Sequence, residues 1–222
     1  MAVLLSNDDA RGMVALLRDA VAAHVAHGGN NDATLAALVA LRTACSSYST
    51  WLAGHNCGAI GGTPGAIEGL LAVFSSHLGV AGVHTAAMQA LYWLAVNSAV
   101  NQERIGDTPG ALQSIVASMK ARARDADLQY YGIEALHTLA SANTGNQHRM
   151  RTSPQLLRLV AAAADHDHDA WRWEDAGHHK DRGEEVLTAL DLSPAQARAA
   201  AAKVRCTHPH PCHSTPYDRS TT

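Results

Sequence analysis

Apolar residues recur along most of the chain at intervals of three and four, which is the spacing of one face of an α-helix. After Gly110 this spacing places Leu112, Ile115 and Met119 on a common face. A longer helical pattern opens at Asp125, with apolar positions at Leu128, Tyr131, Leu136 and Leu139. No alternating strand pattern competes with these segments, so we predict an all-α fold.

The helical segments belong to a repeat that is marked by three proline turns. Pro64, Pro109 and Pro154 lie 45 residues apart. Further positions match in the same register: Asn56, Asn101 and Asn146; Ile60, Ile105 and Met150; Ile67, Leu112 and Leu157; Leu70, Ile115 and Val160; Phe74, Met119 and Ala164. Helices of such a unit cannot cover their own apolar face, so we expect neighbouring copies to stack.

The turn and the two ends of the array carry specific predictions. Pro109 suits the first turn of a helix, and Thr108 before it is a suitable N-cap. The predicted terminal elements are an N-terminal helix with the stripe Met13, Leu16, Leu17, Ala20 and Val21, a second helix over Asp32–Ser47, a last long helix over Glu184–Leu190, and a closing helix over Ser193–Val204 with Ser193 as cap and Pro194 first.

The length of 222 residues predicts one domain. We assign residues 1–205 to the helical array, with an insert loop at 165–183 in the last repeat. Residues 206–222 read as a disordered tail that contains cysteine and histidine.

Composition limits the function classes. Apolar residues make up 47% and charged residues 17%, and the net charge is −3. This balance argues against a basic nucleic-acid-binding module. No apolar run approaches the roughly 20 residues of a membrane span, and the first residues lack a basic signal-peptide region. The four cysteines imply no disulfide framework, so we expect a reducing, cytoplasmic location.

The unit from residue 101 to 142 resembles the armadillo-repeat family. A short helix (NQERIG), a turn, a second helix (GALQSIVASM) and a long third helix ending ALHTLASA follow the order of that family. Its Ala-Leu-x-x-Leu-Ala core occurs at Ala90–Ala95 and Ala135–Ala140. The resemblance covers about Asp32 to Leu190. It implies a right-handed α-solenoid of about three and a half repeats with capping helices, a closely related HEAT-like solenoid being the alternative. It also implies a concave groove of third helices that holds proteins or extended peptides without catalysis.

Matching on this core places the groove positions that hold basic peptides in the family at Gln89 and Trp93, at Glu134 and Thr138, and at Val39 and Thr43. None of these pairs keeps the Trp–Asn combination of the family, which argues against a nuclear-import-receptor role. The predicted partner-binding residues are Thr85, Gln89, Trp93, Asn97, Tyr130, Glu134, Thr138, Val39 and Thr43. Trp93 is alternatively a core residue, and Tyr92 faces the groove if the helix phase is off by one.

Signatures of zinc proteases, nucleotide-binding enzymes and hydrolases are missing, so we predict no catalytic residue, no cofactor and no metal site. Two groups of metal-ligand residues are candidates, namely the Asp/His-rich insert with His166, His168, His178 and His179, and the tail segment with Cys206, His208, His210, Cys212 and His213. For the insert, a solvated loop is the preferred explanation. For the tail, adventitious metal binding is preferred over a structural site. Cys45 and Cys57 are expected to be small buried residues.

The leading hypothesis is a non-enzymatic scaffold or adaptor that holds a partner protein or peptide in the groove, with no nucleic acid or membrane partner. One alternative is a metal-binding module that uses the insert or the tail. Another is a docking subunit of a larger assembly. Fold alone does not decide among these.

Overall fold

The computed structural model describes residues 4–27, 31–46, 49–77, 80–96, 98–141, 143–164 and 176–203. Within these ranges the chain forms α-helices and no strand, which confirms the all-α prediction. The helices are α1 (Asn7–His27), α2 (Asn31–Cys45), α3 (Thr50–Gly62), α4 (Ala66–Ser76), α5 (Ala81–Val96), α6 (Ala99–Asp107), α7 (Ala111–Ala121), α8 (Ala126–Ala140), α9 (Thr144–Arg151), α10 (Pro154–Ala164), α11 (Ala176–Ala189) and α12 (Pro194–Lys203).

Each helix from α1 to α8 packs against the helix three places later in the chain. Three rows result, one of α1, α4, α7 and α10, one of α2, α5, α8 and α11, and one of α3, α6 and α9. Helix α12 packs mainly on α10. The apolar positions that recur every 45 residues lie in the core that these rows share, and Ile60, Ile105 and Met150 are completely buried.

The proline turns differ from the prediction in one respect. Thr108 ends α6 as its C-cap, and its hydroxyl donates to the Arg104 carbonyl at 2.8 Å. Gly110 then adopts a left-handed conformation with φ of 81°, and α7 begins only at Ala111. Thr108 and Pro109 therefore form the turn that precedes α7. The predicted N-cap is wrong, because the Thr108 hydroxyl bonds to a carbonyl of α6 and not to an amide of α7. Gly65 repeats this geometry with φ of 84°.

The helix boundaries in the second half of the chain are partly as predicted. Asp125 caps α8, and Ser193 caps α12 with Pro194 as its first residue. Helix α11 begins at Ala176, so the predicted loop is wrong for residues 176–183. The backbone of α11 approaches α10 closely at Gly183, since a Cβ on this residue would lie only 2.7 Å from the amide nitrogen of Ala164. The rest of the insert, 165–175, and the tail, 206–222, lie outside the described residues.

The N-terminal stripe is wrong at one position. Leu17 and Val21 are buried as predicted, together with Ala10 and Val14, whereas Leu16 is 65% exposed. The buried face of α1 follows the series 10, 14, 17 and 21, and adjacent residues on a helix point about 100° apart. Leu16 therefore lies beside this face.

Candidate partner-binding surface

All the predicted groove residues that the structure describes lie on the row of α2, α5 and α8, whereas Asn97 is outside the described residues. Val39 and Thr43 are exposed on α2, and the Thr43 hydroxyl donates to the Val39 carbonyl at 2.7 Å. The Thr43 hydroxyl thus bonds within its own helix, and both side chains remain exposed on the outer face of α2.

Polar side chains tie neighbouring helices of this row together. Arg42 on α2 donates from Nη1 to Oε1 of Gln89 on α5 at 2.8 Å. The Thr85 hydroxyl on α5 donates to Oδ2 of Asp125, the N-cap of α8, at 2.9 Å. Gln89 and Thr85 are half-buried. Two of the predicted contact residues therefore position helices as well as lining the surface.

Four rings form an aromatic cluster across α5 and α8: Tyr92, Trp93, Tyr130 and Tyr131. The ring centroids of Tyr92 and Tyr131 lie 5.7 Å apart and join the two helices. Within each helix, adjacent rings meet at 5.2 Å and 5.1 Å with their planes steeply inclined. Trp93 is half-buried against the core, and Tyr130 is 37% exposed. Tyr92 and Tyr131 were not among the predicted residues, although a shift of the helix phase by one residue brings in Tyr92.

Glu134 and Thr138 depart from the expectation of an exposed stripe, because they are only 5% and 8% exposed. Helix α11 packs on α8. Its Arg182 donates from Nε to Oε1 of Glu134 at 2.6 Å. Glu134 is thus engaged in a largely buried ion pair, and a partner reaches it only around Arg182.

The Arg182 guanidinium lies between two carboxylates, those of Glu134 and Glu185. Hydrogen bonding to Glu185 and Glu134 raises the pKa of Arg182, against the effect of its partial burial. Burial, and then the adjacent Arg182, lower the pKa of His137, although Glu185 lies 3.3 Å from its Nε2. Burial and the Glu134 carboxylate raise the pKa of Tyr92. At neutral pH the surface therefore combines neutral aromatic rings with a paired arginine.

No group of three or more histidine, cysteine, aspartate or glutamate side chains in the described ranges is placed to hold a metal ion. Most of the candidate ligands lie outside those ranges, including residues 165–175, the tail and the side chains of His178 and His179. Cys45 and Cys57 are completely buried, which confirms the expectation of small buried residues at these positions.

None of the described helices is by itself both long and apolar enough to cross a membrane. Helices α3 and α4 reach that threshold only as a pair that is bent by 76°.

No protein-family model, curated protein or solved structure matches the chain.

Proposed function

We propose that this chain is a short α-solenoid of about three and a half armadillo-type repeats that binds a partner protein or extended peptide and has no enzymatic activity. The recurrent packing of each helix on the helix three places later supports this architecture. In solenoids each repeat contacts mainly its neighbours, and stacking buries the face that one repeat leaves open. The apolar positions in register, such as Leu70, Ile115 and Val160, are completely buried.

Buried asparagines at equivalent positions give further support. Asn101 donates from Nδ2 to the Cys57 carbonyl at 2.8 Å, and Asn146 donates to the Gln102 carbonyl at 2.9 Å. Both bonds reach 44 residues back along the chain. In these two copies one side chain therefore satisfies a carbonyl of the preceding copy, which is the relation expected when one module is stacked repeatedly.

The aromatic cluster on the row of α2, α5, α8 and α11 carries the functional proposal. Tyrosine and tryptophan are enriched in the energetically dominant part of protein interfaces because they bury much area for little loss of side-chain entropy. Arg42 and Gln89 flank the cluster with a hydrogen-bonded pair, and Val39 adds an exposed apolar side chain. An apolar centre with polar neighbours is the usual arrangement of a binding surface.

The sparse cysteine content, four in 222 residues with no spacing typical of a disulfide framework, supports a reducing, cytoplasmic location. The net charge of −3 supports a protein partner over nucleic acid.

The experiment compares two doubly substituted proteins as baits for affinity capture. One carries Gln89→Ala and Tyr130→Ala on the proposed surface. The matched control carries Leu16→Ala and Trp51→Ala, which are exposed on α1 and α3. Far-UV circular dichroism verifies that both retain native helicity.

We expect proteins captured by the wild type and the control to be depleted at least tenfold by the Gln89/Tyr130 variant in quantitative mass spectrometry. Equal capture by both variants contradicts binding at this row of helices.

A further inference from the structure

Three histidines lie together where α1, α2, α4, α5 and α7 meet, and we call them the histidine cluster: His24, His77 and His84. His77 is the C-cap of α4, His24 lies on α1 and His84 lies on α5. His77 and His84 are each only 1% exposed. Buried imidazoles are stable in the neutral form, because charging them in an apolar environment costs free energy.

His77 joins three helices through both of its ring nitrogens and its face. Nε2 lies 3.2 Å from the hydroxyl of Thr34 on α2, and Nδ1 lies 2.7 Å from the hydroxyl of Ser76. Its ring stacks on that of His24, with centroids 3.8 Å apart. His24 in turn contacts the Ser76 carbonyl through Nε2 at 3.1 Å. Since a carbonyl only accepts, this nitrogen of His24 is the protonated one.

His84 connects α5 to two further helices, α7 and α4. Its Nδ1 lies 2.9 Å from the hydroxyl of Ser118 on α7, and the ring of Phe74 on α4 meets it edge-on at 5.6 Å. Its Nε2 is buried, with no hydrogen-bond partner of normal geometry in the described part of the chain. A proton added to this ring therefore brings a charge into a site without a carboxylate in direct contact.

The surrounding charges mostly oppose protonation. Burial, and then the adjacent His24, lower the pKa of His77. Burial, and then Arg122 at the end of α7, lower the pKa of His84 to about 4, with His77 acting in the same direction. The main chain of His77 and the carboxylate of Asp125 oppose the decrease for His84. The Asp125 carboxylate thus favours the protonated form of His84 without outweighing the effects of burial and of Arg122.

We propose that the histidine cluster is an acid-sensitive latch, in which protonation loosens α1, α2 and α4 from one another and from α5 and α7. Opening hydrates the buried rings of His77 and His84 and separates His84 from Arg122, so these two rings bind protons more tightly in the open form. The closed form is therefore stable at neutral pH, where these rings are uncharged. Its stability relative to the open form decreases as the pH falls below about 6.5, the ordinary pKa of histidine. The proposed opening does not depend on the proposed partner binding, although α2 takes part in both.

The size of the effect follows from proton linkage. With a pKa of about 4 in the closed form and about 6.5 in the open form, His84 alone shifts the equilibrium toward opening roughly twentyfold at pH 5 relative to pH 7. His77, whose pKa is also lowered, acts in the same direction. Stability that is present above pH 6.5 is thus lost progressively toward pH 4.

The repeat itself supplies a substitution that removes the charge. Gln129 on α8 lies 45 residues after His84, and its Nε2 donates to the carbonyls of Met119 at 2.7 Å and Arg122 at 3.0 Å. His84→Gln therefore introduces an amide that natively occupies this position in the next copy. His77→Asn keeps hydrogen-bonding capacity without a titratable ring, and His148→Gln on the exposed side of α9 is the matched control.

Hydrogen exchange of the full chain at pH 7.5 and pH 5.0 tests the latch, with rates corrected for the intrinsic effect of pH. In the wild type we expect amides of α1, α2 and α4 to open at least tenfold more at pH 5.0, with a smaller change in α10. Equal changes in both regions overturn the proposal.

The variants test whether the histidines cause the response. We expect His84→Gln to reduce the acid-induced increase, His77→Asn with His84→Gln to reduce it further, and His148→Gln to leave it unchanged. A wild-type response in His84→Gln overturns the proposal. Should the double variant not fold at pH 7.5, the wild type and the single variant decide by the same criteria.

Discussion

The side-chain amide of Asn146 lies directly against the Cα of Gly106, so that a Cβ on this glycine would overlap the amide oxygen. Gly61 and Asn101 stand in the same relation one copy earlier. In both pairs the asparagine comes 40 residues after the glycine, and its nitrogen bonds to a carbonyl of the glycine's own helix. The close approach of the helices in the row α3, α6 and α9 thus depends on a missing side chain in one copy and an amide in the next.

We expect Gly106→Ala to lower the free energy of unfolding by about 2–3 kcal/mol, because an added methyl forces Asn146 out of its site. Gly58→Ala is the matched control within α3, since no atom lies within 4 Å of its added Cβ. The control is expected to raise stability by about 0.5–1 kcal/mol through higher helix propensity. Urea unfolding followed by circular dichroism measures both, and equal stabilities of the two variants would refute the steric argument.

Asn146→Ala tests the polar half of the same contact. The substitution leaves the Gln102 carbonyl without its 2.9 Å partner in a site where the asparagine is completely buried. A loss of about 1–3 kcal/mol in the free energy of unfolding is expected. Gln113→Ala, on the exposed face of α7, provides the comparison and is expected to change stability by less than about 0.5 kcal/mol.

The turn at Gly110 separates backbone strain from steric overlap. Its φ is 81°, and its added Cβ would meet nothing within 4 Å. Gly110→Ala is therefore expected to cost about 1–2 kcal/mol through the left-handed conformation alone. Gly110→Asn should recover part of this loss, since asparagine tolerates that conformation better than alanine. If thermal unfolding shows alanine and asparagine to be equivalent, strain at this position does not limit stability.

Arg182→Ala is expected to destabilise the packing of α11 on α8 by about 2–3 kcal/mol, because it leaves the Glu134 carboxylate largely buried without its 2.6 Å partner. Adding Glu134→Gln to this variant should restore part of the loss, since a neutral amide is less costly to bury. A double-mutant cycle in urea measures the coupling. Additive effects of the two substitutions would show that the pair contributes no specific interaction.

The helical periods and the 45-residue register are properties that could be read from the chain itself. They predicted the all-α fold and the common register of Ile60, Ile105 and Met150, all of which are buried, because the residues that share one helix face are set by local spacing. The caps at Asp125 and Ser193 were predictable for a similar reason, since a short polar side chain bonds to amides only two or three residues ahead.

The role of Thr108 was not decided by the same local information. A threonine hydroxyl can bond to a carbonyl four residues before it or to amides after it, and both patterns are compatible with the sequence. The left-handed Gly110 separates Thr108 from α7, so its hydroxyl ends α6 instead.

The composition of the candidate surface depended on contacts between distant segments. Sequence spacing placed Glu134, Thr138 and Tyr130 on neighbouring turns of one helix, and that neighbourhood is encoded locally. Their exposure is decided by α11, because Arg182 covers Glu134 from 48 residues further along the chain, while Tyr130 stays accessible. Period and face are local properties of a helix, whereas exposure is determined by whichever helix packs against that face in three dimensions.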